Sequence, residues 1–176
     1  MMSKTRRPEP RAQSHKAKVP TERSAYVDAL RMLARRELSE AQIRQRLARR
    51  EHDNDRISSA IERLKEERAI DDERVAAAIA RTETSVKKRG RLRVRRSIES
   101  AGIAADIARR AVEQAFEDLD GGDLLERSLA RRLRGGRLIE DDREFQRLYR
   151  YLVMQGFESD QVLKLLSAKR TRKPRA

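Results

Sequence analysis

The chain has 176 residues, with 43 Lys or Arg against 29 Asp or Glu and a net charge of +14 at pH 7. There is no cysteine, which excludes disulfides, thiolate metal sites and a cysteine nucleophile; only 3% of residues are aromatic, so groups for base stacking are scarce and sequence-specific reading of bases is not expected. No run approaches the roughly 20 apolar residues of a membrane span, and no apolar segment follows the basic N-terminus, so the expectation is no membrane partner, no secretory signal and a cytoplasmic location.

Ala, Leu, Arg and Glu abound, which is a helix former's composition. With 38% hydrophobic and 41% charged residues, one thick core is not expected; a few small all-α units are. Residues 1–22 hold three of the four prolines and six basic against two acidic side chains, and read as a disordered basic arm. A first helix is predicted from Ser24 to Arg36, with Tyr26, Ala29, Leu30 and Leu33 as its apolar stripe. A second starts at Ser39, where Ser39 and Gln42 have capping-box spacing and Ile43 and Leu47 face inward. A third follows Asp53 or Asn54, with Ile57, Ala60, Ile61 and Leu64 at helical spacing. Each is about three turns long, too short to be stable alone, so the helices must pack on one another.

A fourth helix opens at Asp71-Asp72 and buries Val75, Ala76 and Ile79. Two adjacent acids there fit a helix N-terminus better than a catalytic pair, because they match the helix dipole. After a basic loop and helix, another helix runs from about Ala104 to Glu117. Gly121-Gly122 and Gly135-Gly136 read as joints on either side of a helix from Asp123 to Arg134. Asp141-Asp142 open a helix carrying Phe145, Leu148, Tyr149 and Leu152, and the last helix spans about Ser159 to Ser167. A basic tail, 168–176, holds five Lys or Arg and no acid.

The densest charge lies between these helices. From Arg81 to Arg96 there are eight Lys or Arg and one acid, Glu83. Val94, Ile98 and Ala101 share one helical face, so Arg93, Arg95 and Arg96 are left to the wet side, and Lys87, Lys88, Arg89 and Arg91 lead in. Gly90 breaks the chain before the helix, and Gly102 sits where a C-cap needs left-handed backbone. Such a density repels itself unless an anion is near. Lys87, Lys88, Arg89, Arg91, Arg93, Arg95 and Arg96 are therefore the candidate contacts to a polyanion, either DNA phosphate or an acidic protein wall.

The sequence also repeats. Ile43, Leu47, Glu51, Asp55, Ala60 and Ile61 match Val94, Ile98, Gly102, Asp106, Ala111 and Val112, and then Leu148, Leu152, Gly156, Asp160, Leu165 and Leu166. Three tandem three-helix repeats follow: 23–70, a basic 71–120, and 121–167. Stacked in order, they form an elongated, curved array with a long surface.

In its ordered motifs the chain resembles the RecX family, bacterial regulators of the RecA recombinase. Leu30-x-x-Leu33-x-x-Arg36-x-x-Ser39-x-x-x-Ile43-x-x-x-Leu47 resembles that family's opening unit, and Ile70-Asp71-Asp72-Glu73-Arg74-Val75-Ala76 the start of its middle unit. Lys87 to Arg95 resembles its basic loop and helix, and Arg150-Tyr151-Leu152-x-x-x-Gly156-Phe157-x-x-Asp160-x-Val162 its closing unit. The likeness covers roughly 24–167. It departs at Val75, where the family often has an aromatic, and near Arg91 and Leu92, where it has a Tyr-Gly-Pro-like turn. The resemblance implies a monomer with no enzymatic activity and no cofactor. It implies binding to the RecA filament, in the groove or at the growing end, with lowered ATPase and strand exchange.

Two other classes compete with this reading. One is a stand-alone helical nucleic-acid-binding protein with weak, sequence-independent affinity for single- or double-stranded DNA; against it, the charge sits on one unit rather than on every second helix. The other is an enzyme. Its candidates are few: His15 lies in the arm, His52 reads as a helix-joint residue, and no G-x-x-x-x-G-K-[ST] phosphate loop is present.

Overall fold

The computed structural model describes residues 24–133 and 137–170. They form α1 (Ala25–Leu33), α2 (Glu40–Ala48), α3 (Asn54–Glu66), α4 (Asp72–Arg81) running into a π turn (Thr82–Val86), α5 (Arg91–Glu99), α6 (Ala105–Ala115), α7 (Gly121–Ala130), α8 (Asp142–Met154) and α9 (Ser159–Ala168). Among the described residues there is no strand, only one isolated bridge between Ile139 and Arg170. The protein is all-α, a tandem array of three-helix units. The arm expected over 1–22, the joint at Gly135-Gly136 and the tail beyond Arg170 lie outside the described residues.

Short polar side chains set the starts of α2, α3, α4, α7 and α8. Ser39 and Gln42 form the expected capping box, each side chain meeting the other's backbone N–H, at 3.2 and 3.4 Å. Asp53, Asp71 and Asp141 accept from the N–H groups of Arg56, Arg74 and Glu144 at 2.8, 2.9 and 2.6 Å. Asp120 does the same for Gly122 at 2.7 Å. That cap corrects one expectation: Gly121-Gly122 is not a joint but the first turn of α7.

The first helix needs a second correction. It ends at Leu33, about one turn before Arg36, and its buried stripe is Ala25, Asp28, Ala29 and Met32. Leu30 faces solvent and Tyr26 and Leu33 are only half-buried. The stripe is rotated because an acid lies in it. Asp28 is 3% exposed and is held by Arg31, Arg50 and His52 at 3.3, 3.1 and 3.2 Å. Burial pushes its carboxyl up, but the hydrogen bonds from His52 and Arg50 outweigh this and hold it below the usual carboxylate range. His52 is thus a joint residue, folded back after α2 onto α1.

The repeat is visible in the packing. Ile43, Val94 and Leu148 are buried at one position, Leu47, Ile98 and Leu152 at the next, and Ile61, Val112 and Leu166 at a third. Glu51, Gly102 and Gly156, matched by the repeat, all adopt left-handed backbone, with φ of 64°, 78° and 89°. The units are not equally joined. Helices α1–α3 enclose their own core from Ala25 to Ile70. Helices α4–α9 share a second, from Val75 to Leu166. A wholly buried Leu or Ile in either is worth roughly 1.5–3 kcal/mol of transfer free energy.

Successive units meet end to end. Gly90 N–H, just before α5, donates to Gln155 O at 2.9 Å, and Leu92 N–H donates to Gly156 O at 3.2 Å. The backbones are so close that a Cβ on Gly156 would lie 2.2 Å from Arg93 N, and one on Gly90 would lie 2.3 Å from Gly156 O. One unit earlier, the Ser39 hydroxyl ahead of α2 donates to the Ala101 carbonyl at the end of α5. There a Cβ on Gly102 would lie 2.3 Å from Ala41 Cβ. Asp72 adds a bond across the same seam, accepting from Glu40 N–H at 2.9 Å, and Arg74 pairs with Glu37 at 2.6 Å.

Two outcomes are expected from urea denaturation. Gly156→Ala should lose about 2 kcal/mol or more, from left-handed strain plus the clash with Arg93, whereas Gly121→Ala, which has open space around it, should be neutral or slightly stabilising. Equal effects would contradict the seam. Asp28→Asn should cost about 1–3 kcal/mol at pH 7. Because the native carboxyl titrates below its unfolded value, its contribution is full above about pH 4 and fades as pH falls through the native value. A gap between variant and parent that stays constant from pH 7 to pH 3 would refute that role.

Candidate polyanion-binding groove

The basic segment is shaped by the π turn that ends α4. Lys87 N–H reaches back five residues to Thr82 O at 3.2 Å, and Arg89 N–H reaches Glu83 O at 3.0 Å. The wider turn carries Glu83 and Thr84 inward, where they are 4% and 3% exposed. Thr84 satisfies its hydroxyl on Ala80 O at 2.9 Å. Glu83 takes Lys87 Nζ at 2.7 Å, and Arg89 closes on its other oxygen. Burial alone would raise the Glu83 carboxyl; the two cations overcome that and hold it low.

This turn sorts the seven predicted cations. Lys87, Arg89, Arg93 and Arg96 line one groove of about 670 Å³, with Glu83, Glu99 and the hydroxyl residues Ser97 and Ser100. Lys87 and Arg89 enter it already paired with Glu83. Arg93 and Arg96 are exposed and have no partner among the described residues. The other three are not part of the groove lining. Arg91 lies over the Phe116 ring at 4.6 Å and reaches Phe116 O at 3.5 Å. Arg95 pairs with Glu99 one turn on, at 2.7 Å. Lys88, with φ of 54°, is the left-handed residue that lets the loop turn into α5.

One contributor escaped sequence reasoning. Arg131, at the end of α7, donates to Val86 O at 2.7 Å and Lys87 O at 3.2 Å. It holds the backbone of the basic loop from outside while Glu83 holds its side chains from inside. No local pattern marks a residue 44 positions away as the brace of this loop.

The remaining candidates have structural roles. Asp71 caps its own helix, Asp72 caps α2, and Asp141 caps α8. Asp142 pairs with Arg170. Among the described residues no three His, Cys, Asp or Glu side chains gather as a metal site, and no helix is long and apolar enough to cross a membrane. The aromatics belong to the cores: Phe116 and Phe157 are buried and Tyr26, Phe145, Tyr149 and Tyr151 pack partly against them. Arg63, Arg132 and Arg170 cover Tyr26, Tyr151 and Phe145 at 3.9, 4.6 and 5.6 Å, as Arg91 covers Phe116.

Comparison with known proteins accords with this architecture. Residues 25–64 match the family model described as RecX, first three-helix domain. Over 147 residues the chain is 32% identical to "Regulatory protein RecX" of Syntrophotalea carbinolica, covering 83% of this chain and 96% of that protein. It is 35% identical over 136 residues to "Regulatory protein RecX" of Chromohalobacter salexigens, covering 77% of this chain and 86% of that one. The crystal structure of RecX from Lactobacillus salivarius superposes with a TM-score of 0.66 at 21% identity, across 82% of this chain and 95% of that one, a likeness of fold. With a capping-box start, three tandem three-helix units and relatives matched over nearly their whole length, this chain belongs to the RecX family of regulatory proteins.

Proposed function

We propose that this protein binds the RecA recombinase and its nucleoprotein filament and lowers its ATPase, strand exchange and filament growth, in DNA repair and recombination. The observation that carries this reading is likeness to regulatory RecX proteins across more than four fifths of the chain. The tandem array supports it: an elongated body of small units, 23–70, 71–120 and 121–167, can lie along a helical filament groove and touch several subunits. The basic face of the middle unit supplies contacts to DNA phosphate or to an acidic filament wall through Arg93, Arg96 and their neighbours. Binding is sequence-independent, since the aromatics are committed to the cores. The protein acts in the cytoplasm as a monomer, with no catalysis and no cofactor of its own.

One observation favours a second reading. Arg93 and Arg96 are exposed and have no partner among the described residues, which suits a polyanion with or without RecA, so a stand-alone nucleic-acid-binding protein is the competing function.

The test is RecA's ATPase on single-stranded DNA, with this protein titrated in. A fall in rate is expected. A fall complete at far less than one copy per RecA indicates action at filament ends, and one needing near-equal copies indicates coating of the groove. An unchanged rate, alongside tight salt-sensitive binding to DNA alone, would replace the proposal with the second reading.

A further inference from the structure

The basic segment contains its own anion. Glu83 is buried at the floor of the groove, with two of the four groove cations on its carboxylate. The other two, Arg93 and Arg96, are one turn apart on α5 and face the same space, with no partner among the described residues. Ser97 and Ser100 bring neutral hydroxyls to that space. Such a site is half-filled: one internal carboxylate has claimed Lys87 and Arg89, and two guanidinium forks are left open.

We propose that this groove binds the sugar-phosphate backbone of a nucleic acid, with Arg93 and Arg96 as the first contacts and Glu83 as a built-in competitor that holds Lys87 and Arg89 back. The proposal rests on the reading that this face meets nucleic acid, and it specifies how.

The chemistry selects the ligand. A single carboxylate from a protein partner offers Lys87 and Arg89 no more than Glu83 already gives, so exchange gains nothing. A phosphodiester strand brings several anions at once, and its binding releases condensed counterions. Arginine also matches phosphate with two parallel hydrogen bonds, and hydroxyls are common partners of phosphate oxygens. Lys87 reaches Glu83 with a flexible side chain that is 44% exposed, and Arg89 with one that is 23% exposed, so both can change partner while Glu83 stays in place. The loop backbone is meanwhile fixed by Arg131, so exchange is a movement of side chains. Glu83 therefore sets the threshold of the groove: it weakens binding to scattered anions and leaves dense ones able to win.

The experiment is fluorescence anisotropy of the full chain with labelled oligo-dT across a series of salt concentrations, with helix content checked by circular dichroism. Glu83→Gln keeps the shape and one acceptor and removes the charge. It should tighten binding roughly three- to tenfold at low salt, the effect of deleting one unit charge a few ångströms from a phosphate. It should also steepen the log-log salt slope by about 0.7 for each cation released to a phosphate. Arg93→Gln with Arg96→Gln, both on the exposed face, should flatten the slope by about 1.4. Arg91→Gln with Arg95→Gln, outside the groove lining, should change it less.

If the parent binds and Glu83→Gln binds equally or more weakly, Glu83 is not a competitor and the inference fails while the nucleic-acid reading stands. If the Arg91/Arg95 pair carries the slope and the Arg93/Arg96 pair does not, the groove is the wrong site. If the parent shows no salt-dependent binding at all, both this inference and the nucleic-acid contact fall. Should Glu83→Gln fail to fold, Lys87→Gln with Arg89→Gln replaces it: a loss of slope smaller than that of the Arg93/Arg96 pair supports cations withheld by Glu83, and an equal or larger loss overturns it.

Discussion

The end-to-end contact between α8 and α5 is what allows the basic segment to exist. A helix N-terminus carries about half a positive charge and favours acids. The first turn of α5 has none; it has Arg91 and Arg93. Gly90 supplies no side-chain cap either. Acceptors come instead from another unit, as the carbonyls of Gln155 and Gly156, just past the end of α8, accept from Gly90 and Leu92. The C-terminal turn after α8 thus meets the N-terminus of α5, beneath the arginines. The contact is possible only because neither Gly90 nor Gly156 has a Cβ to separate the backbones. The same relation recurs between α5 and α2, with Ser39 both capping its own helix and donating to Ala101. Second helices therefore stack α8 to α5 to α2, and the array acquires its order from these seams.

Each unit also buries one carboxylate among cations: Asp28 in the first, Glu83 in the second, Glu144 in the third. Glu144 is held by Arg137 and Arg147, and the Arg137 hydrogen bond chiefly lowers its titration. These acids do not occupy equivalent repeat positions. They answer a common problem, since short units in an arginine-rich chain need internal counter-charge. In units one and three the arrangement closes a loop. In unit two it leaves two arginines over.

The all-α class, the three units and the helix starts were legible because caps and apolar periodicity are local signals. The repeat was legible for the same reason: Ile43, Val94 and Leu148 perform one task three times, and the left-handed position is glycine twice. Three features were not. The stripe of α1 was misjudged because Asp28 hides in it, and only Arg50 and His52, brought back by the turn at Glu51, make its burial tolerable. Gly121-Gly122 looked like a joint because glycine usually is one, whereas Asp120 makes it a helix start. Of seven cations equal in sequence, Lys87 and Arg89 are taken by Glu83 and Arg95 by Glu99, while Arg91 lies over Phe116. The π turn that sorts them leaves no mark in composition, and Arg131 is distant in the chain.

The left-handed position after each second helix also records where one unit ends against another. At Gly102 and Gly156 a neighbour's backbone or Cβ fills the space a side chain would need, so glycine is obligatory. At Glu51 the side chain is exposed and the strain of φ 64° is tolerated. Among the described units, α1–α3 carries a residue with a Cβ at this place, and each unit that carries a glycine there is packed against the unit before it. The array consequently has a direction written into a single recurring position. Seating another unit against α1–α3 in the same way would require Glu51 to become glycine.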